Sequence, residues 1–92
     1  MSFRSPAKLY ARTDEDFRQI VKNIYLLAPE ALKAELIVLT DEEKKNQILF
    51  RQIVYRTVPV NVNNRRSVAI YALLWGMTEE ETIRKFRDDF DL

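Results

Sequence analysis

Asn63-Asn64-Arg65-Arg66-Ser67 is the stretch of this 92-residue chain whose residue types and spacing point most directly to chemistry. Two arginines would stand in the first turn of a helix, where positive charge opposes the helix dipole by typically about 0.3–1 kcal/mol each. Free backbone N–H groups, the positive end of the dipole and two guanidinium forks would converge there, an arrangement that holds a phosphate or a carboxylate. Asn63, Asn64, Arg65 and Arg66 are therefore the candidate anion- or partner-binding residues. The structural alternative is solvated arginines, or arginines bridging to Asp88, Asp89 and Asp91.

A second set is the N-terminal arm, where Arg4, Lys8 and Arg12 interleave with Phe3 and Tyr10. Basic residues among aromatics can follow a nucleic-acid backbone and stack on bases. A terminus that docks on its own domain, or stays disordered, accounts for the same residues. A third set is acidic: Asp14, Glu15 and Asp16, and Asp88, Asp89 and Asp91. Neither run has the glycine and ligand spacing of a calcium loop, so no metal is expected and both runs read as solvated charge.

The missing residue types narrow the chemistry further. With no histidine, the commonest general base is absent. With no cysteine, thiolate nucleophiles, disulfides and zinc-thiolate sites are excluded. One glycine makes neither a P-loop nor a dinucleotide fingerprint. No catalytic set and no cofactor are expected. A net charge of +1 gives no global attraction to nucleic acid or membrane. The longest apolar run, Val68 to Trp75, is too short to span a bilayer. The first residues lack the apolar stretch of a secretory signal, so a cytoplasmic protein is the default.

The elements that must position these residues announce themselves by their starts. Thr13, Thr40 and Thr78 are each followed by three acids. A threonine hydroxyl accepts from a first-turn N–H, the acid three places on reaches back, and the dipole favours the negative charge. A first helix is expected over about 14–28, with Phe17, Ile20, Val21, Ile24, Leu27 and Ala28 on one stripe. Pro29 ends it and opens a second, over about 29–39, whose 35–39 end reads as helix or short strand. A third is expected from Thr40 to about Thr57, stopped by Pro59. Residues 58–63 alternate valine with proline or asparagine, as in an extended connector or an edge strand. A fourth helix, about 65–75, is apolar nearly all round and belongs at the centre. Gly76 ends it in a left-handed conformation, and Thr78 caps a fifth, with Ile83, Phe86 and Phe90 inward and Arg84, Lys85 and Arg87 outward. Phe-Arg-Gln-Ile-Val occurs twice, at 17–21 and 50–54, and reads as one amphipathic solution used twice.

Ala72-Leu73-Leu74-Trp75-Gly76-Met77-Thr78 and the helix that follows resemble a helix-turn-helix unit, with Ala72 and Gly76 at the four-residue spacing common there. The resemblance implies a second helix entering the major groove through its first residues. Here those are Glu79, Glu80 and Glu81, which would face phosphates with negative charge. A tight helical hairpin packing the core explains the same stretch.

The chain is thus expected to be all-α, with four or five short helices around residues 65–75, as one domain over 13–92 preceded by a basic arm over 1–12. The favoured function is a non-catalytic module binding a protein partner or itself. The alternative is a small helix-turn-helix-like regulator that binds nucleic acid through the 63–66 residues and the contacts of Arg4, Lys8, Tyr10 and Arg12.

Overall fold

The computed structural model describes residues 13–90. They form α1 (Asp14–Leu27), α2 (Glu30–Ile37), α3 (Asp41–Lys44), α4 (Gln47–Thr57), α5 (Arg65–Trp75) and α6 (Glu79–Phe90). The fold is all-α, and no strand occurs among the described residues. The arm over 1–12, with its candidate contacts Arg4, Lys8, Tyr10 and Arg12, and the residues Asp91 and Leu92 lie outside them.

All three threonine signals start helices. Thr13 Oγ1 accepts from the Asp16 N–H at 3.0 Å. At Thr40 and Thr78 the box closes in both directions: the Glu43 and Glu81 N–H groups donate to the threonine hydroxyls, and their carboxylates accept from the threonine N–H groups, at 2.8–3.1 Å. Asn64 caps α5 by accepting from the Ser67 N–H at 3.1 Å. Gly76, at φ 67°, turns the chain out of α5, and the Met77 N–H closes the end by donating to the Ala72 carbonyl at 3.0 Å.

The expected helix from Thr40 to Thr57 is two helices. α3 lasts four residues, then the Lys45 and Asn46 N–H groups donate three residues back, to Glu42 and Glu43. Asn46 restarts the chain by accepting from the Leu49 N–H at 3.0 Å. Asparagine here competes for the backbone as an N-cap, a role it fills better than a helix interior. The 35–39 end of α2 is helical to Ile37, and Val38 continues in the right-handed helical region. Of the extended connector expected over 58–63, residues 59–61 run without regular structure or a strand partner, and Val62 and Asn63 form a turn in which the Asn64 N–H donates to the Asn61 carbonyl at 3.1 Å. Val58 is buried and Val60 and Val62 pack partly against the core, while Pro59, Asn61 and Asn63 face outward.

α5 lies at the centre, packed against α1 on one side and α6 on another. Ser67, Val68, Ile70, Tyr71, Ala72, Leu74 and Trp75 are all buried along it. Tyr71 is fully covered, and its hydroxyl donates to the Val58 carbonyl at 2.7 Å, tying the end of α4 to the central helix. Burial pushes this phenol above its ordinary value, and the neighbouring Tyr55 pushes it the same way. Tyr71, Trp75 and Phe86 form an aromatic triangle with centroids 4.9–5.7 Å apart. Two expectations for α6 need correction. Phe90 is 47% exposed, because it follows Phe86 past the edge of the core. Lys85 is half-buried rather than outward: its Nζ lies 5.2 Å above the Trp75 ring and pairs with Asp89.

Candidate functional site

Asn63, Asn64, Arg65 and Arg66 stand together and exposed at the start of α5. Asn64 and Asn63 are occupied in shaping the turn: Asn64 caps the helix, and the Asn63 N–H donates to Asn61 Oδ1 at 2.9 Å. Neither arginine forms an ion pair with another described residue, and Asp89 is committed to Lys85. Bridges from Arg65 or Arg66 to Asp88 or Asp89 are therefore absent. The two arginines form an exposed positive corner.

A more developed site lies elsewhere. α1 and α2 are joined by the short turn at Ala28-Pro29, and Lys44 of α3 and Phe50 of α4 complete a concavity with them. Between them runs a groove of about 380 Å³. Its floor is Val21, Leu36, Leu39 and Phe50, contributed by α1, the α2 end and α4. Tyr25, Leu26 and Ile37 form its walls. Much of this apolar surface is open to solvent: Leu26 is 76% exposed and Ile37 65%, and the adjoining Val38 is 74% exposed. Single exposed apolar residues are ordinary, but a contiguous set around a concavity marks a surface meant to be covered.

The charged residues lining this groove are Arg18, Lys22 and Lys44, all cations. Arg18 is matched by Glu15 at 2.8 Å, one turn away on an exposed face. Lys22 and Lys44 form no ion pair with a described residue. Lys33 stands over the Tyr25 ring, 5.6 Å from its centroid, and adds a further cation beside the wall. A neighbouring recess of about 410 Å³ shares Arg18, Val21 and Lys44 but brings in Asp14 and Asp41, so its charge is mixed.

Sequence reasoning missed this groove. Its signal was present in the residues that fall off the buried stripes. Phe17, Ile24 and Ala28 mark the inward face of α1, which leaves Tyr25 and Leu26 as unexplained apolar residues beside it. Ile37 and Val38 stand in the same relation to Leu32 and Leu36. Tyr55, half-exposed, is accounted for otherwise: its hydroxyl accepts from the Trp75 indole N–H at 3.1 Å.

The turn between α5 and α6 has the elements of the helix-turn-helix resemblance, and Phe86 packs the two helices together through Tyr71 and Trp75. Glu79 and Glu80 stand exposed at the first turn of the second helix. Among the described residues, no group of three or more acidic side chains could hold a metal ion. No helix is long and apolar enough to cross a membrane among those residues. Comparison with protein-family models, with curated proteins and with solved structures gave no match.

Proposed function

We propose that this chain is a small non-catalytic interaction module that docks a protein partner through the groove between α1 and α2. The observation that carries the reading is the clustering of exposed Leu26, Ile37 and Val38 around one apolar concavity, which the other exposed apolar residues Ile48, Tyr55 and Phe90 do not line. Grooves between helices that present apolar walls are the usual seats for a partner's apolar side chains. The absence of histidine and cysteine and the single glycine support a binding role over a catalytic one.

The rival reading, a nucleic-acid-binding regulator, draws its support from Arg65 and Arg66, which are exposed and unpaired among the described residues. Two comparisons separate the readings. Immobilised wild-type chain and a Leu26→Ser/Ile37→Ser variant are exposed to the same cell extract. Proteins retained by the first and lost by the second support groove docking. In parallel, sedimentation with generic duplex DNA is followed at two salt concentrations. DNA binding that weakens with salt, and disappears in Arg65→Glu/Arg66→Glu, would replace the module reading with the regulator. Equal retention by wild type and groove variant would remove the groove from the function.

A further inference from the structure

The groove identifies the chemistry of what fills it. We infer that its occupant is an acidic amphipathic helix of another protein, with apolar anchors on one face and carboxylates on its flanks. This inference rests on the docking role proposed for the groove and adds the nature of the partner.

Three observations converge. First, the lining is apolar apart from Arg18, Lys22 and Lys44, and no acid contributes to it. Glu15 offsets the charge of Arg18, but nothing among the described residues pairs with Lys22 or Lys44. An occupant with carboxylates beside its apolar face would meet these two ammonium groups, and one with lysines there would be repelled. Secondly, the exposed apolar surface is wider than the groove. Val38 extends it beyond the lining, so a single narrow ligand filling the concavity would leave it wet, whereas a helix lying across the mouth would cover it together with the walls Leu26 and Ile37.

Thirdly, the chain carries its own demonstration of what this surface lacks. The pentapeptide Phe-Arg-Gln-Ile-Val recurs in α1 and α4. In α4, Ile53 and Val54 are buried by other helices of the domain. In α1, Ile20 and Val21 are only half-buried, and Val21 opens onto the groove. The same residues are sealed where other described helices pack over them and only partly covered where the described residues supply less. The charge pattern also separates this partner from the chain's own N-terminal arm, whose Arg4, Lys8 and Arg12 would meet a rim of the same sign.

The test uses the full chain and three synthetic helical peptides with leucines at i, i+3, i+4 and i+7. One carries flanking glutamates, and its companions carry glutamines or lysines at the same places. Titrations are followed by NMR of the Val21, Leu26, Leu36, Ile37 and Leu39 methyl groups. The acidic peptide should shift these methyls and bind about tenfold or more tightly than the lysine peptide. The variant Lys22→Glu/Lys44→Glu, whose changes are confined to exposed side chains, should reverse that order. If the glutamine peptide binds as tightly as the acidic one, or the lysine peptide more tightly, the groove remains a docking site but its partner is not acidic. If no peptide moves the methyls, the docking role itself falls. Shifts that grow with chain concentration alone would assign the groove to a second copy. Displacement of the acidic peptide by vesicles containing phosphatidylserine would assign it to an anionic membrane surface. Either result overturns the inference.

Discussion

The two copies of Phe-Arg-Gln-Ile-Val form a comparison within one molecule. Both phenylalanines are buried, and they meet edge to face, 5.6 Å between ring centroids. Both glutamines face solvent. From there the copies part. Arg51 is buried where Arg18 is exposed, and Ile53 and Val54 are sealed where Ile20 and Val21 remain partly open. Three of the five identical residues thus acquire different roles on the same kind of helix, because burial is set by which neighbours arrive and not by the residues themselves. α4 is the inner partner of α2 and α3. α1 is packed by α5 on one side, and its Val21, Tyr25 and Leu26 line the groove on another.

The most disruptive way to probe this difference is truncation of the paired isoleucines. Ile53→Ala should destabilise by about 2–5 kcal/mol, the cost of emptying a sealed core site. Ile20→Ala should cost clearly less, because part of its side chain is already hydrated and the site can collapse. Denaturant melts of the two variants decide the matter. Equal losses would mean that α1 is as tightly enclosed at Ile20 as α4 is at Ile53.

A smaller effect concerns the joint that fixes α4 against α5. Tyr71→Phe removes the hydrogen bond to Val58 and should cost about 0.5–1.5 kcal/mol near neutral pH. The same phenol links stability to pH. Its value is raised in the folded chain, so the neutral form is favoured there. Below the ordinary tyrosine value of about 10 both states hold the proton and this contribution is intact. As pH rises through that value the unfolded chain releases its proton first, and stability falls. Melting midpoints across alkaline pH should therefore drop for the wild type and drop less for Tyr71→Phe. Parallel curves would separate the phenol from the alkaline loss.

The smallest expected effect is at the positive corner of α5. Arg65→Glu/Arg66→Glu should leave the domain folded, with stability unchanged or raised by about 0.3–1 kcal/mol per site as the first turn gains acids. The same variant should leave groove binding unaltered, since neither arginine lines the groove. Calorimetric melting checks the first point, and the acidic-peptide titration checks the second. Unfolding would show the pair to be structural.

The fold was largely legible because its punctuation is chemical. Three threonines with trailing acids mark helix starts by local hydrogen bonding, and Pro29 and Gly76 mark helix boundaries by their backbone geometry, neither of which needs knowledge of the rest of the chain. The break at Asn46 was legible in principle, but a continuous apolar stripe through Leu49, Phe50 and Ile53 outweighed a single asparagine. The groove was not legible in the same way. Tyr25, Leu26, Ile37 and Val38 are separated by a turn in sequence, and only the placing of α1 and the end of α2 around one concavity makes them one surface. Periodicity tells which face is apolar; it does not tell which apolar face goes without a neighbour. Arg65 and Arg66 stood out for the opposite reason, being anomalous in local sequence while standing exposed and without an ion pair among the described residues.

The position of Trp75 has a practical consequence. It is the sole indole of the chain, and it is enclosed by Tyr55, Tyr71, Phe86 and the ammonium group of Lys85. None of these residues lines the groove. Its fluorescence therefore reads the integrity of the fold and is silent about occupancy of the docking surface. A ligand can be titrated while the emission spectrum certifies, in the same cuvette, that the domain beneath it has stayed intact.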